Sequence, residues 1–168
     1  EKAIMNADLG VMPQNDGEYV DRAYVAYPTA RDNKHTEMEY SVPAELGPVC
    51  FMKLRDLMRT QFPAVTWPVE YRTLAADQGW ISTARGRPTV TLSIHQAVDL
   101  PHEAFFRASE SLFREHQGRP HWGKKHYLGA KELAAEHPDT WDRFWAVQRR
   151  LDPKGRFLNA HLRHISGL

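Results

Sequence analysis

Residues 89–97 read TVTLSIHQA, and apolar and polar side chains alternate along them almost without a break. Successive side chains of a β-strand point to opposite faces, so this period of two predicts a strand with one apolar face. The apolar set is Val90, Leu92 and Ile94, and the polar set is Thr91, Ser93 and His95. The apolar set must face a core, which an all-helical fold would not provide for this segment.

Two further strands are expected. Thr36–Pro43 has the same alternation and stops at a proline, and WPVEYRTLA at residues 67–75 is followed by a turn at ADQGW. With the helices described next, the expected order of elements is strand, helix, strand, strand, helix, which is typical of an antiparallel sheet with helices on one face. We therefore predict an α+β fold in which helices pack on one face of an antiparallel β-sheet.

Three amphipathic helices are expected. The first covers residues 49–62, where the apolar positions recur near helical spacing. The second begins near Asp99–Pro101, and the third covers residues 139–151 with Asp139 or Thr140 as its cap. The apolar positions expected in the core are Cys50, Leu54, Leu57 and Met58 in the first, Phe105, Ala108, Leu112 and Phe113 in the second, and Trp141, Phe144, Trp145 and Leu151 in the third.

The chain divides into two parts by composition. Residues 1–35 form a polar, turn-rich lead-in in which only YVDRAYVAY offers a possible strand, whereas residues 36–168 have the patterns of one folded domain. A total of 168 residues suits one well-buried core. The predicted domain is therefore 36–168.

Composition excludes several classes of protein. Lys and Arg number 22 against 21 Asp and Glu, so no net field attracts nucleic acid or an anionic membrane. No apolar run is long enough to predict a transmembrane segment. The single cysteine, Cys50, excludes an internal disulfide and fits a cytoplasmic location, with association to a membrane as the alternative.

A polar patch is expected if the second and third strands are neighbours. Glu70 and Arg72 share a face because they are two residues apart, and Thr91, Ser93 and His95 share a face in the other strand. One interpretation is the solvated face of a half-exposed sheet with a cross-strand ion pair. The other is a floor of polar groups that faces a ligand rich in hydroxyls.

The segment GRPHWGKKH at residues 118–126 also allows several interpretations. His116, His121 and His126 recur every five residues, but no helix or neighbouring Cys or Asp aligns them, so we predict no metal site. A phosphate or base site would need more cations than this chain offers. An active-site loop would use Gly123 for close backbone approach and Lys124 as a fixed cation. The structural alternative is a surface loop with its tryptophan packed inward.

Four segments together resemble a known family. They are HTEMEYSVPAE, VEYRTLAADQGWIS, RPHWGKKH and LDPKGRFLNAHLR, in this order. From about residue 18 to its end, the chain resembles the C-terminal part of the FAD-linked sugar-1,4-lactone oxidases. That group holds D-arabinono-1,4-lactone oxidase and L-gulonolactone oxidase, with alditol oxidases as relatives.

The resemblance implies the cap or substrate domain of a vanillyl-alcohol-oxidase-type flavoenzyme. The FAD-binding domain is expected to be absent from this chain, because no Gly-rich phosphate-binding turn precedes residue 36. That domain, on the same or another chain, is the implied partner, and without it no activity is expected. The implied reaction passes a hydride from a small polyhydroxylated substrate to FAD and electrons onward to oxygen or another acceptor. An alditol oxidase and a non-catalytic sugar- or protein-binding module are the alternatives.

The resemblance also implies roles for single residues. Glu70 and Arg72 match the Glu-x-Arg pair at the substrate, and Lys124 matches the lysine of the His-Trp-Gly-Lys motif near the flavin. A strand histidine helps to hold substrate in relatives, and His95 or Ser93 would take that place. The residues expected at the cofactor are Lys124, His121, Trp122 and Asn159.

Overall fold

The computed structural model describes Arg22 and residues 34–167. The possible strand at residues 19–27 lies outside the described residues, apart from Arg22. Four antiparallel strands form one sheet in the order β2-β3-β1-β4. Their bounds are β1 His35–Pro43, β2 Glu70–Leu74, β3 Thr89–Ala97 and β4 Arg119–Pro120.

Five α-helices follow or separate these strands in the described part of the chain. They are α1 Gly47–Gln61, preceded by a 3-10 turn at Ala44–Leu46, then α2 Glu103–Glu115, α3 Ala130–Glu136, α4 Trp141–Leu151 and α5 Ala160–Ser166. The α+β prediction and the antiparallel sheet are thereby confirmed.

The main core lies between the apolar face of the sheet and the helices α1 and α2. Strands β1 and β3 pair along their whole length, which places Met38 opposite Ile94 and Tyr40 opposite Leu92. These side chains are buried with aliphatic and aromatic residues of the two helices. The helical contributions are Cys50 and Leu54 from α1 and Phe105, Phe106 and Phe113 from α2.

One carboxylate is buried at the edge of this core. The Tyr40 hydroxyl donates to Glu110 Oε1 at 2.5 Å, and the backbone N–H of Tyr127 donates to the same oxygen at 2.8 Å. Burial and the hydrogen bond to Glu110 raise the pKa of Tyr40 far above its usual value. The tyrosine therefore serves as a permanent donor that compensates the burial of Glu110.

A second hydrophobic cluster joins the helices of the C-terminal part. Its buried members are Leu128, Leu133, Trp141, Trp145 and Ile165. The sequence predicted α4 within two residues, but Leu151 is 74% exposed rather than part of the core. This leucine is the last residue of α4, where the chain turns away.

One predicted helix start differs from the observed one, and one predicted cap lacks its expected hydrogen bond. Helix α2 begins at Glu103, with His102 at the N-cap position, rather than at Asp99–Pro101. Thr140 does occupy the N-cap position of α4, but its hydroxyl donates to the carbonyl of Trp80 rather than to the helix. Long-range pairing thus replaces the local cap that the sequence indicated.

Candidate active site

The polar face of the sheet is continuous across three strands. Strand β2 pairs with β3 so that Glu70 lies opposite Ser93 and Arg72 opposite Thr91, which confirms that the two predicted strands are neighbours. Strand β1 lies on the other side of β3 and adds its own polar set. In register, Glu37 faces His95, Glu39 faces Ser93 and Ser41 faces Thr91.

Glu39 holds Arg72 in place. Arg72 Nη2 donates to Glu39 Oε2 at 2.7 Å, and the Ser93 hydroxyl donates to the same oxygen at 2.8 Å. Arg72 Nη2 also lies 3.3 Å from Ser93 Oγ, and Nη1 lies 3.5 Å from Glu70 Oε2. The guanidinium therefore bridges β2 to β1 across the intervening strand.

Glu37 holds Lys124 in a similar way. The loop after β4 is fixed to β1 because the N–H of His121 donates to the carbonyl of Glu39 and the N–H of Lys125 to that of Glu37, at 2.9 and 2.8 Å. This places the Lys124 ammonium on Glu37 Oε2. Burial by itself would raise the pKa of Glu37, but the hydrogen bond and charge of Lys124, with the charges of His95 and His35, hold it below its usual value.

His95 also faces Glu37. Its Nε2 lies 3.5 Å from Glu37 Oε1, and its Nδ1 lies 3.2 Å from the carbonyl of Pro68. A carbonyl only accepts, so Nδ1 carries the proton of that hydrogen bond. The imidazole is therefore oriented with Nε2 toward the polar face.

Exposure separates the site into a buried floor and an exposed rim. The side chains of Arg72, Glu70 and Lys124 are 52%, 41% and 30% exposed, whereas those of Glu37 and Glu39 are 12% and 11% exposed. The remaining floor residues, Ser41, Thr91, Ser93 and His95, are buried. The interpretation as a solvated sheet face is therefore wrong for the floor, although a cross-strand ion pair is present.

The histidines of the GRPHWGKKH region do not gather. His116 contacts the carbonyl of Leu112, His121 accepts from the N–H of Gly123, and the ring of His126 lies 5.5 Å from that of His161. The one metal-compatible group among the described residues is a different set, His35, Glu37 and His95.

Two residues expected at the cofactor have structural contacts. The ring of Trp122 packs in the C-terminal cluster, nearly parallel to that of Trp145 with centroids 6.0 Å apart. Asn159 is the N-cap of α5, where its side-chain oxygen accepts from the N–H of Leu162 at 2.8 Å. The inward packing of Trp122 agrees with the structural alternative for this loop, and a cofactor role for either residue stays a prediction.

The sequence did not predict that Glu37 and Glu39 belong to the site. The signal was present, because TEMEYS has the same alternation that assigned Glu70 and Arg72 to one face. What the pattern lacked was the strand order. The position of β1 beside β3 makes Glu39 a neighbour of Arg72, and the pairing of β1 with β4 and the loop after it makes Glu37 a neighbour of Lys124.

Fold and site together define an α+β domain with a polar face on its sheet, in which two rim cations are each held by a carboxylate of the floor. The family model described as D-arabinono-1,4-lactone oxidase matches residues 3–165. The chain therefore belongs to the D-arabinono-1,4-lactone oxidase family, as the four segments indicated. The match begins well before residue 18, where the resemblance was expected to start.

Individual proteins with similar sequences are named for related reactions. The chain is 42% identical over 147 residues to L-gulono-1,4-lactone dehydrogenase of Mycobacterium tuberculosis, covering 88% of the chain and 34% of that protein. It is 28% identical over 140 residues to bovine L-gulonolactone oxidase, covering 80% and 31%. It is 36% identical over 113 residues to alditol oxidase of a Streptomyces species, covering 66% and 26%. The chain thus spans about a third of the length of these relatives.

The length and composition of the helices bear on whether they can cross a membrane. Among residues 34–167, no helix combines the length and the apolar composition that a bilayer span requires.

Proposed function

We propose that this chain is the substrate-facing part of an FAD-dependent oxidoreductase that oxidises a hydroxyl-bearing carbon of a sugar 1,4-lactone. The observation that carries the proposal is the pair of rim cations, Arg72 and Lys124, each held by a carboxylate beneath it. Family membership and two relatives named for gulonolactone support the lactone as substrate class. The FAD-binding domain would be supplied by the rest of the enzyme.

The two rim cations suit a ring and a substrate that both gain negative charge during the reaction. Arg72 and Lys124 are partly exposed, so their donor groups can reach a molecule that covers the face. Because Glu39 and Glu37 fix the two cations from below, little reorganisation is needed when charge appears. The residues present therefore fit a flavin with a polyhydroxylated substrate beneath it.

The chemistry that FAD supplies when bound is acceptance of a hydride from the substrate carbon. Oxidation removes the hydroxyl proton as well as the hydride, and Arg72 would stabilise the negative charge that develops on the substrate oxygen as this proton passes to Glu70. Glu70, which is exposed beside Arg72, would accept the hydrogen bond of a substrate hydroxyl. Lys124 would favour the anionic form of the reduced ring.

The two strand residues would act differently from each other. Ser93 is fully buried and donates to Glu39, so it would influence the substrate through the orientation of Arg72. His95 directs Nε2 toward the polar face and could contact a substrate hydroxyl directly. His95 is accordingly the substrate-binding candidate, and Ser93 is a positioning residue.

Substitution of the rim cations in the complete enzyme tests the proposal. Removal of one preorganised donor costs about 2.7 to 4 kcal/mol of transition-state stabilisation, so Arg72→Met and Lys124→Met should each lower kcat by about a hundredfold or more. Arg55→Met is the matched control, because Arg55 is an exposed arginine of α1 that pairs with Asp56. Near-normal kcat with L-gulono-1,4-lactone in both rim variants would contradict the assignment.

An alditol oxidase is the second candidate, favoured by the 36% identity to the Streptomyces relative. Lactones and open-chain polyols present similar hydroxyl groups to a polar face, so kcat/KM for L-gulono-1,4-lactone and for xylitol separates the two. We expect the lactone to be the better substrate. A complete protein without a flavin absorption spectrum would instead favour a non-catalytic binding module.

A further inference from the structure

The polar face contains a set of three side chains whose nitrogen and oxygen atoms are potential metal ligands. His35, Glu37 and His95 each direct one potential ligand atom into the same space, and these three atoms lie within 4.8 Å of one another. His35 is the first residue of β1, Glu37 is two residues further on the same face, and His95 lies opposite Glu37 in β3. Two imidazoles and one carboxylate from adjacent strands therefore converge.

The orientation of the His95 ring places its Nε2 beside a carboxylate oxygen of Glu37. Because Nδ1 is the donor to the carbonyl of Pro68, Nε2 is the ring atom that faces Glu37 Oε1 at 3.5 Å. With a proton on Nε2, the charged ring forms the ion pair with Glu37 described above; without that proton, Nε2 is a lone pair beside a carboxylate oxygen. Two acceptors in this position repel each other unless a cation lies between them. That cation is either a second proton on the ring or a metal ion.

The geometry agrees with a metal ion. Zinc bonds of about 2.1 Å to nitrogen and oxygen in a tetrahedron separate neighbouring ligand atoms by about 3.4 Å. The 3.5 Å between His95 Nε2 and Glu37 Oε1 already fits this spacing, and the full set, whose atoms lie within 4.8 Å of one another, reaches it if His35 moves closer. A backbone carbonyl that fixes the distal ring nitrogen is also the usual second-shell partner of a ligating histidine. Two histidines with one glutamate form a donor set of known zinc sites that leave a coordination position open.

We propose that His35, Glu37 and His95 form a binding site for Zn²⁺ or a similar divalent transition metal. His35 would complete the site by a small movement, since its ring centroid lies 5.3 Å from that of His95, and Trp67 flanks it at the same distance. Lys124 shares the carboxylate through Oε2, so its positive charge opposes the metal and limits affinity. A metal ion and a substrate hydroxyl would compete for His95 Nε2, so metal binding is tested without turnover, and its outcome is separate from that of the proposed oxidase activity.

Calorimetric titration of the full chain with ZnCl₂ at neutral pH tests the site, with Co²⁺ as a spectroscopic substitute for tetrahedral coordination. His35→Ala, Glu37→Gln and His95→Ala should each weaken Zn²⁺ binding at least about tenfold, a loss that even an outer-shell partner can cause. Lys124→Met should strengthen binding, because it removes the opposing charge while Glu37 remains. A purely structural role of Glu37 would not produce that increase.

A second histidine group provides the matched control. Burial, together with the charges of nearby His161 and His164, lowers the pKa of His126. Zn²⁺ binding by this second group of histidines must be separated from binding at the proposed site. His161→Ala should leave the Zn²⁺ affinity unchanged. His35 is half-buried at the start of its strand, so His35→Ala keeps the test decisive if His95→Ala does not fold. Absence of Zn²⁺ binding, equal binding by His35→Ala and the parent chain, or a loss only in His161→Ala would overturn the site.

Discussion

The ion pair between Arg72 and Glu39 should contribute to folding as well as to chemistry. Arg72→Met would leave the Glu39 carboxylate, which is 11% exposed, with the Ser93 hydroxyl as its remaining side-chain donor among the described residues. Glu39→Gln would remove the charge but keep the shape. Each single variant should therefore be less stable than the parent chain, and the second substitution should cost little once the first is made.

The magnitude follows from the burial of the two partners. A hydrogen bond to a charged group contributes about 1.5–3 kcal/mol when it is well protected from water. Because the side chain of Arg72 is half exposed, solvent screens part of this energy, and we expect a coupling free energy of about 1–2 kcal/mol. The value is clearly larger than the roughly 0.2–1 kcal/mol that exposed pairs contribute.

The assay is a double-mutant cycle on the free energy of unfolding, measured by urea titration of tryptophan fluorescence. The control cycle uses Arg55 and Asp56, which form a 2.7 Å ion pair of the same length but are exposed on α1. A coupling energy at Arg72–Glu39 no larger than that of the control would refute the claim that Glu39 positions the guanidinium.

Three further outcomes test other parts of the structure. Burial and the charges of Arg119, Arg85 and Arg87 lower the pKa of His137 to about 4. In the unfolded chain its pKa is about 6.5, so between these two values the unfolded chain binds a proton on His137 and the folded chain does not. Stability is then lost on acidification, by about 2 kcal/mol at pH 5 from this group, and urea titrations should show that much less loss in His137→Asn. Tyr40→Phe removes a donor from buried Glu110 and should cost about 1–3 kcal/mol by the same titration, whereas the exposed Tyr71→Phe should cost almost nothing. Gly47→Ala would place Cβ 2.5 Å from Val90 Cγ2 and should lower the thermal midpoint through a cost of about 1–3 kcal/mol; an unchanged midpoint would show that the helix shifts freely.

Local patterns were sufficient for most secondary structure. The strand predicted at residues 89–97 coincides with β3, and the helix predicted at residues 49–62 differs from α1 by at most two residues at either end. Alternation of period two and apolar spacing near 3.6 are properties of a short segment, so they can be identified without knowledge of its neighbours. Helices α3 and α5 were not predicted, because seven residues are too few for a clear period.

Local sequence patterns did not predict the side-chain contacts of two residues, Thr140 and Trp122. The hydroxyl of Thr140 was expected to cap α4, but the carbonyl of Trp80, sixty positions away in the sequence, takes its hydrogen bond. Trp122 was expected near the cofactor through its motif; its ring packs against the aromatic residues of α4, and its cofactor role stays a prediction. In both cases the observed contact is with a residue distant in the sequence.

The sequence by itself determined which residues of each strand share a face, and it also indicated the family. It assigned Glu70 and Arg72 to one face of their strand, and Ser93 and His95 to one face of theirs. The motif around Lys124 identified that residue. Tertiary structure decided that β1 lies between β3 and β4. The β3 side brings Glu39 to Arg72 across 33 positions, and the β4 side brings Glu37 to Lys124 across 87. Strand order depends on contacts between distant segments, whereas the face of a side chain depends only on its parity within the strand.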